Sequence, residues 1–238
     1  MNLDQRTIVI TGAAGGLGSF LAQEFAHKGS RLALIGRDED KLQHLVQGLD
    51  APADRIATWA VDLRDEAAAK ATADAVVDRF GRVDALLHVV GGWAGGKSIL
   101  DMPADDLGQM LDQHVWTSFV AARAFVPHLI AGGWGRIIMV TSPFASRPSA
   151  KGGAYAIAKA GQEALMLTLS QELKGTGVTA NILQVKQIDM KRAKVSEPAQ
   201  ANAAWTTPEE LAAAVTYLLS DAGAALNGAK LPMFGSYS

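Results

Sequence analysis

Short apolar runs rich in β-branched residues recur along the chain, each separated from the next by a longer stretch of helical periodicity. This alternation marks βαβ units, in which helices cover both faces of a parallel sheet and the strands read as near-continuous hydrophobic segments. Seven strands are predicted: Thr7 to Ile10, Arg31 to Ile35, Ile56 to Val61, Ala85 to Val90, Arg136 to Thr141, Val178 to Val185 and Ala229 to Met233. The helices between them have legible ends. Asp38 and Asp65 stand where an N-cap carboxylate would accept from the first turn, and Gly29 and Gly81 follow the first and third helices as stops. In the first helix Leu17, Leu21, Ala22 and Phe25 share one face, which suits packing on the sheet.

The 238 residues suffice for one large core, and no internal repeat, low-complexity tract or Pro/Gly/Ser linker divides them. Residues 1–238 are therefore expected to form a single α/β domain. A formal charge of −2 leaves no electrostatic footprint for nucleic acid or an anionic membrane. No segment approaches the roughly 18 uninterrupted apolar residues that span a bilayer. The N-terminus carries no signal pattern, since Asp4 and Arg6 precede only a short apolar run. The absence of cysteine removes disulfides, thiolate metal sites and cysteine nucleophiles, and suits a reducing compartment. The expectation is a soluble cytoplasmic protein whose partners are small molecules, with no nucleic acid and no membrane.

Two motifs carry chemistry. The run Thr11-Gly-Ala-Ala-Gly-Gly-Leu-Gly18 lies between the first strand and the first helix. Gly12, Gly16 and Gly18 fall where backbone must turn tightly and approach a phosphate, and the helix N-terminus offers free N–H donors with a partial positive charge. Glycine turns also serve packing alone, and the spacing here is not the commonest dinucleotide fingerprint. The second motif is Tyr155 with Lys159, one helical turn apart, and Ser142 thirteen residues before the tyrosine. Three Tyr and eleven Lys in 238 residues would give such a Tyr-x-x-x-Lys pair roughly 0.14 times by chance, and the serine lowers this to roughly 0.007. The weight therefore rests on the conjunction.

With these residues in place the chain closely resembles the short-chain dehydrogenase/reductase family, whose Thr-Gly-x-x-x-Gly-x-Gly pattern Thr11 to Gly18 matches. The resemblance extends to Asp62 in Val-Asp-Leu, to Ser142, Tyr155 and Lys159, to Asn181 in the sixth strand and to the segment from Pro208 to Gly235. It implies a Rossmann-like doubly wound sheet, a homotetramer or homodimer, and a nicotinamide cofactor. The cofactor contacts it implies are Gly12, Gly16, Leu17, Gly18, Asp62 by the adenine, Leu63, Gly91, Lys159 at the nicotinamide ribose, and Ile188. Gly36 and Arg37 end the second strand, where an acid would read the ribose hydroxyls of NAD. A guanidinium there suits a 2′-phosphate, so NADP(H) is favoured over NAD(H), unless Arg37 is simply a solvated loop residue.

Carbonyl reduction needs a hydride on carbon and a proton on oxygen. Tyr155 is the candidate acid, its phenol expected to fall below the usual value of about 10 beside the Lys159 ammonium. Ser142 would hold the substrate oxygen. The plainer alternative makes Ser142 a turn cap and Tyr155 a surface residue.

Three departures from the family pattern lie near the expected nicotinamide: His88-Val89-Val90-Gly91 in place of Asn-Asn-Ala-Gly, His114 in place of the catalytic Asn, and Val185-Lys186 in place of Pro-Gly. His114 would either hold a water that reconnects Lys159 to solvent and titrate near neutral pH, or pack in its helix with one nitrogen on backbone. Lys186 would contact pyrophosphate or an acidic substrate, or face water. His88 reads as structural. No spacing suggests a metal, since His27, His44 and His128 fall on separate helices. Trp93, Phe144, Met190 and Trp205 would wall the substrate, Arg147 would take an anionic group, and Lys191 to Thr206 would form a mobile lid. The expected function is a carbonyl reductase or alcohol dehydrogenase, with 3-oxoacyl reduction as one case by analogy. The rival is a nucleotide-binding relative with little turnover, acting as sensor or partner subunit.

Overall fold

The computed structural model describes residues 3–196 and 203–234. Seven parallel strands form one sheet in the order β3-β2-β1-β4-β5-β6-β7: β1 Thr7–Thr11, β2 Arg31–Gly36, β3 Ile56–Ala60, β4 Ala85–His88, β5 Gly135–Thr141, β6 Val178–Gln184 and β7 Lys230–Pro232. Eight α-helices are described: α1 Gly16–His27, α2 Glu39–Gln47, α3 Glu66–Phe80, α4 Ala104–Met110, α5 Thr117–Ala131, α6 Gly153–Glu172, α7 Ala193–Ser196 and α8 Pro208–Leu218. The α/β architecture and the strand count agree with the expectation from periodicity.

The continuous apolar strands are explained by two cores, one on each face. Phe80, Phe125 and Met166 from α3, α5 and α6 fill one. Phe25, Leu42 and Leu211 from α1, α2 and α8 fill the other. Complete burial of each such side chain stabilises by about 1.5–3 kcal/mol, so single truncations matter while no one residue defines the fold. Asp38 accepts from the Lys41 N–H at 3.1 Å and Asp65 from Ala68 at 3.0 Å, as capping residues should. Gly81 ends α3 in the left-handed region at φ 78.

Two features depart from expectation. β4 stops at His88 rather than Val90, where the glycine turn packs closely: a Cβ on Gly12 would lie 3.1 Å from the Val90 nitrogen. Between α4 and α5 the chain runs through a π-helical segment, Leu111–Trp116, without interruption. The strand order reverses between β1 and β4, whose ends pair Thr11 with His88. Ligands of such sheets bind in the crevice beyond those carboxyl ends.

Candidate active site

A cleft of about 570 Å³ opens at that reversal, with Gly12, Arg37, Asp62, Leu63 and Gly91 on its walls. The glycines shape it sterically. Gly12 holds φ 73, and a Cβ on Gly18 would fall 2.2 Å from the Gly12 oxygen, a contact no side chain tolerates. Gly16 opens α1, and the side chain of Met190 packs against it, 3.4 Å from where a Cβ would stand. Leu17 is buried in the core and Ile188 bridges to Thr206; neither lines the cleft.

Sequence reasoning missed Arg64. Its guanidinium forks over Asp62 with contacts of 2.5–3.0 Å, and its backbone N–H also donates to that carboxylate. These bonds hold the Asp62 carboxyl down to about 2, with Arg37 adding a weaker pull. Gln113, on the π segment, forms part of the opposite wall and donates to the Gly91 carbonyl at 2.8 Å. A tight glycine cradle, a helix N-terminus and two arginines around one carboxylate fit a phosphate-bearing nucleotide.

Ser142 follows β5 directly and accepts from the Phe144 N–H at 3.4 Å, so it does cap a turn. The turn after β5 packs on the start of α6 and brings the Ser142 hydroxyl near the Tyr155 phenol. Burial pushes the Tyr155 phenol up, and the nearby Ser142 hydroxyl only opposes this. The expected lowering by Lys159 is not found. The ammonium lies 5.7 Å from the tyrosine ring centroid and is spent on Val140 O at 3.0 Å and Gln162 Oε1 at 2.9 Å. Lys159 itself is buried and brought down to about 7 by desolvation, with Glu163 pulling the other way. The Gln162 amide donates to Ser118, whose hydroxyl donates to the His114 carbonyl, so a buried chain of polar groups joins α6 to the π segment.

His114 sits edge-on to Tyr155, 5.6 Å between centroids. Its Nε2 lies 3.0 Å from the Gly92 oxygen and must carry the proton, since a carbonyl only accepts. Nδ1 is then a bare lone pair, buried without a hydrogen-bond partner among the described residues. Burial, then the Lys159 charge, lowers the imidazole to about 4, which corrects the expectation of titration near neutral pH. His88 is also buried, 2.8 Å from the Thr11 hydroxyl, and falls to about 3 for the same reasons.

Of the apolar wall, Phe144 meets the Tyr155 ring edge-on at 5.9 Å, Met190 covers Gly16, Trp205 is half-buried and Trp93 stands in solvent. Lys186 places its ammonium 5.4 Å from the Phe234 ring centroid. The described part of the expected lid segment has local structure. Ala193–Ser196 forms a helical turn capped by the buried Asp189, and Lys194 pairs with Glu210 of α8 at 2.9 Å. Residues 197–202 lie outside the described residues. The described residues hold no cluster of three metal-ligating side chains and no helix long and apolar enough to cross a membrane.

The family model for short chain dehydrogenase matches residues 6–201. D-threitol dehydrogenase of Mycolicibacterium smegmatis is 29% identical over 245 residues, covering 99% of this chain and 94% of the relative. 2,3-Dihydroxy-2,3-dihydro-p-cumate dehydrogenase of Pseudomonas putida is 32% identical over 180 residues, 75% of this chain and 69% of the relative. Among solved structures, a short chain dehydrogenase from Bacillus anthracis superposes with a TM-score of 0.88 at 24% identity, covering 100% of this chain and 98% of its own. The NADH complex of 3-ketoacyl-(acyl-carrier-protein) reductase from Brucella melitensis gives 0.87 at 22% identity, with 98% of both chains covered. The chain belongs to the short-chain dehydrogenase family of NAD(P)-dependent oxidoreductases.

Proposed function

We propose that residues 1–238 form a single-domain, NADP(H)-dependent carbonyl reductase or alcohol dehydrogenase that works in the cytoplasm as a homodimer or homotetramer. The observation that carries this reading is the meeting of Ser142 and Tyr155 at the end of β5, with Lys159 one turn behind, beside a cleft edged by Arg37. The turn of Gly12, Gly16 and Gly18 would hold the pyrophosphate at the helix N-terminus, Asp62 and Leu63 on the cleft wall would flank the adenine, and Gly91 would border the path between the two ends. A nicotinamide held in this cleft would supply or accept the hydride. Ser142 orients the carbonyl oxygen, and the Tyr155 hydroxyl gives that oxygen its proton, or takes it back in oxidation. Lys159, one turn behind Tyr155 and lowered to about 7 by burial, would hold a positive charge near the phenol and bind the nicotinamide ribose. His114 acts as a neutral positioning group: its ring packs against Tyr155 and its Nδ1 lone pair can hold one buried donor.

Both named relatives are dehydrogenases of hydroxylated compounds, which supports interconversion of a secondary alcohol and a ketone. The alternative of a binding protein with little turnover draws on Lys159, which bonds Val140 and Gln162 rather than Tyr155. A panel of ketones added to NADPH-loaded protein separates the two. Oxidation of NADPH with an alcohol as product supports the enzyme, and saturable NADPH binding with no ketone consumed supports the sensor.

A further inference from the structure

Loops after β4 and β5 meet over the start of α6, two residues from Tyr155, and they present a chemistry that carbonyl reduction alone does not require. On the first, Trp93 is 64% exposed and its indole lies on glycine backbone: a Cβ on Gly95 would stand 2.6 Å from its Cζ2. Ile99 rests on Gly153, where a Cβ would stand 2.3 Å from its Cδ1, and Leu100 beside it is 96% exposed. On the second loop Phe144 lies against Gly152, where a Cβ would stand 3.0 Å from its Cε1, while its ring meets Tyr155. The Gly96 N–H donates to the Lys151 carbonyl at 2.8 Å and ties the two loops together. Glycines at 95, 152 and 153 thus make the space for an aromatic and aliphatic rim that faces water, and large exposed apolar groups gathered in one place mark a binding surface.

The Phe144 loop carries the cations of this rim. Arg147 and Lys151 are exposed on the Phe144 loop and form no ion pair among the described residues. Lys151 adopts φ 65, a left-handed backbone uncommon outside glycine, with its carbonyl fixed by Gly96. Across from them, Asp106 of α4 pairs with Lys97 at 3.2 Å and Asp101 accepts from the Ser98 hydroxyl at 2.5 Å, while Asp105 of α4 is exposed. A carboxylate arriving here meets two uncommitted cations, and it meets them beside rings that can cover an apolar body.

We propose that the mouth of the site selects an amphipathic ketone, with an aromatic or alicyclic body against Trp93 and Phe144 and a carboxylate toward Arg147 and Lys151. The inference rests on the oxidoreductase reading of Ser142, Tyr155 and Lys159, and it names the substrate class of that site. The probe pair is 4-acetylbenzoate and 4-methylacetophenone, which share ring and ketone and differ in the carboxylate. With NADPH and the full chain, kcat/KM for the acid exceeds that for the neutral ketone by about tenfold at low salt, as expected for two exposed charge pairs. The gap resides in KM, narrows as salt is raised, and falls to about twofold in the double variant Arg147→Gln, Lys151→Gln. Equal kcat/KM for the two ketones, or a preference that the double variant retains, overturns the inference. Calorimetric titration of the NADPH-loaded protein separates this from failure of the parent reading. Tighter binding of the acid that the double variant loses, without turnover, upholds the mouth and sinks the oxidoreductase; equal affinity, or binding of neither probe, sinks the mouth.

Discussion

Lys159 and His88 are the residues whose environments depart furthest from those of their free side chains. Burial lowers the Lys159 amine from 10.5 to about 7, so below pH 7 both the folded and unfolded chains carry this proton and the folded state bears the full cost of a buried ammonium. Between pH 7 and 10.5 the unfolded chain binds more protons, and stability rises with pH. Lys159→Met should therefore be more stable than wild type at pH 6, with an advantage that shrinks by about 2 kcal/mol by pH 9, read from urea unfolding at each pH. A constant difference would contradict the buried ammonium. His88 and His114 act in the opposite pH range. Their folded values, about 3 and about 4, lie below the ordinary 6.5 of imidazole, so stability they support is present above 6.5 and is lost as pH falls toward 4. The His88→Asn, His114→Asn variant should show an unfolding free energy that falls less steeply between pH 6.5 and 4.5; an unchanged acid limb would mean that neither imidazole is buried neutral. These shifts were not legible in the sequence, because desolvation is set by what packs around a group, and Gln162, Ser118 and Gly92 come from three different elements.

The seven strands were legible because a parallel sheet covered on both faces leaves long apolar runs that little else produces. Asp38, Asp65 and Gly81 were legible as helix ends because capping is local. The π segment at Leu111–Trp116, which packs against α6, was not, since Leu-Asp-Gln-His-Val-Trp has no feature that separates a wide turn from an α-turn. The Arg64 fork over Asp62 lay within reach of sequence reasoning, being only two residues away on a turn, but any of several nearby acids could have claimed that guanidinium. Element geometry also yields a prediction at the glycine turn. Gly18→Ala puts a methyl 2.2 Å from the Gly12 oxygen, backbone that cannot step aside without moving the end of β1. The variant should lose about 2 kcal/mol in urea unfolding together with most of its NADPH affinity in a fluorescence titration. Retention of both would show that the turn is looser than its geometry.

At the scale of the molecule, one sheet brings residues from across the chain to a single edge: Gly12 after β1, Arg37 after β2, Asp62 after β3, Gly91 after β4 and Ser142 after β5. The family and the fold could be read from the spacing of a few of these residues, whereas the mouth, with Trp93, Ile99 and Lys151 meeting through glycine contacts, depends on loops whose course no periodicity encodes. Cofactor choice is a property of the assembled cleft. Arg37→Asp places a carboxylate where the 2′-phosphate would lie, and should shift the NADPH-to-NADH affinity ratio toward NADH by about a hundredfold or more in paired titrations; an unchanged ratio would remove Arg37 from the recognition of phosphate. The most direct test of the account compares ketone-dependent NADPH oxidation by wild type and Tyr155→Phe at equal cofactor occupancy. The account predicts a loss of at least about a hundredfold in kcat with NADPH affinity preserved, and a variant that turns over at the wild-type rate would contradict it.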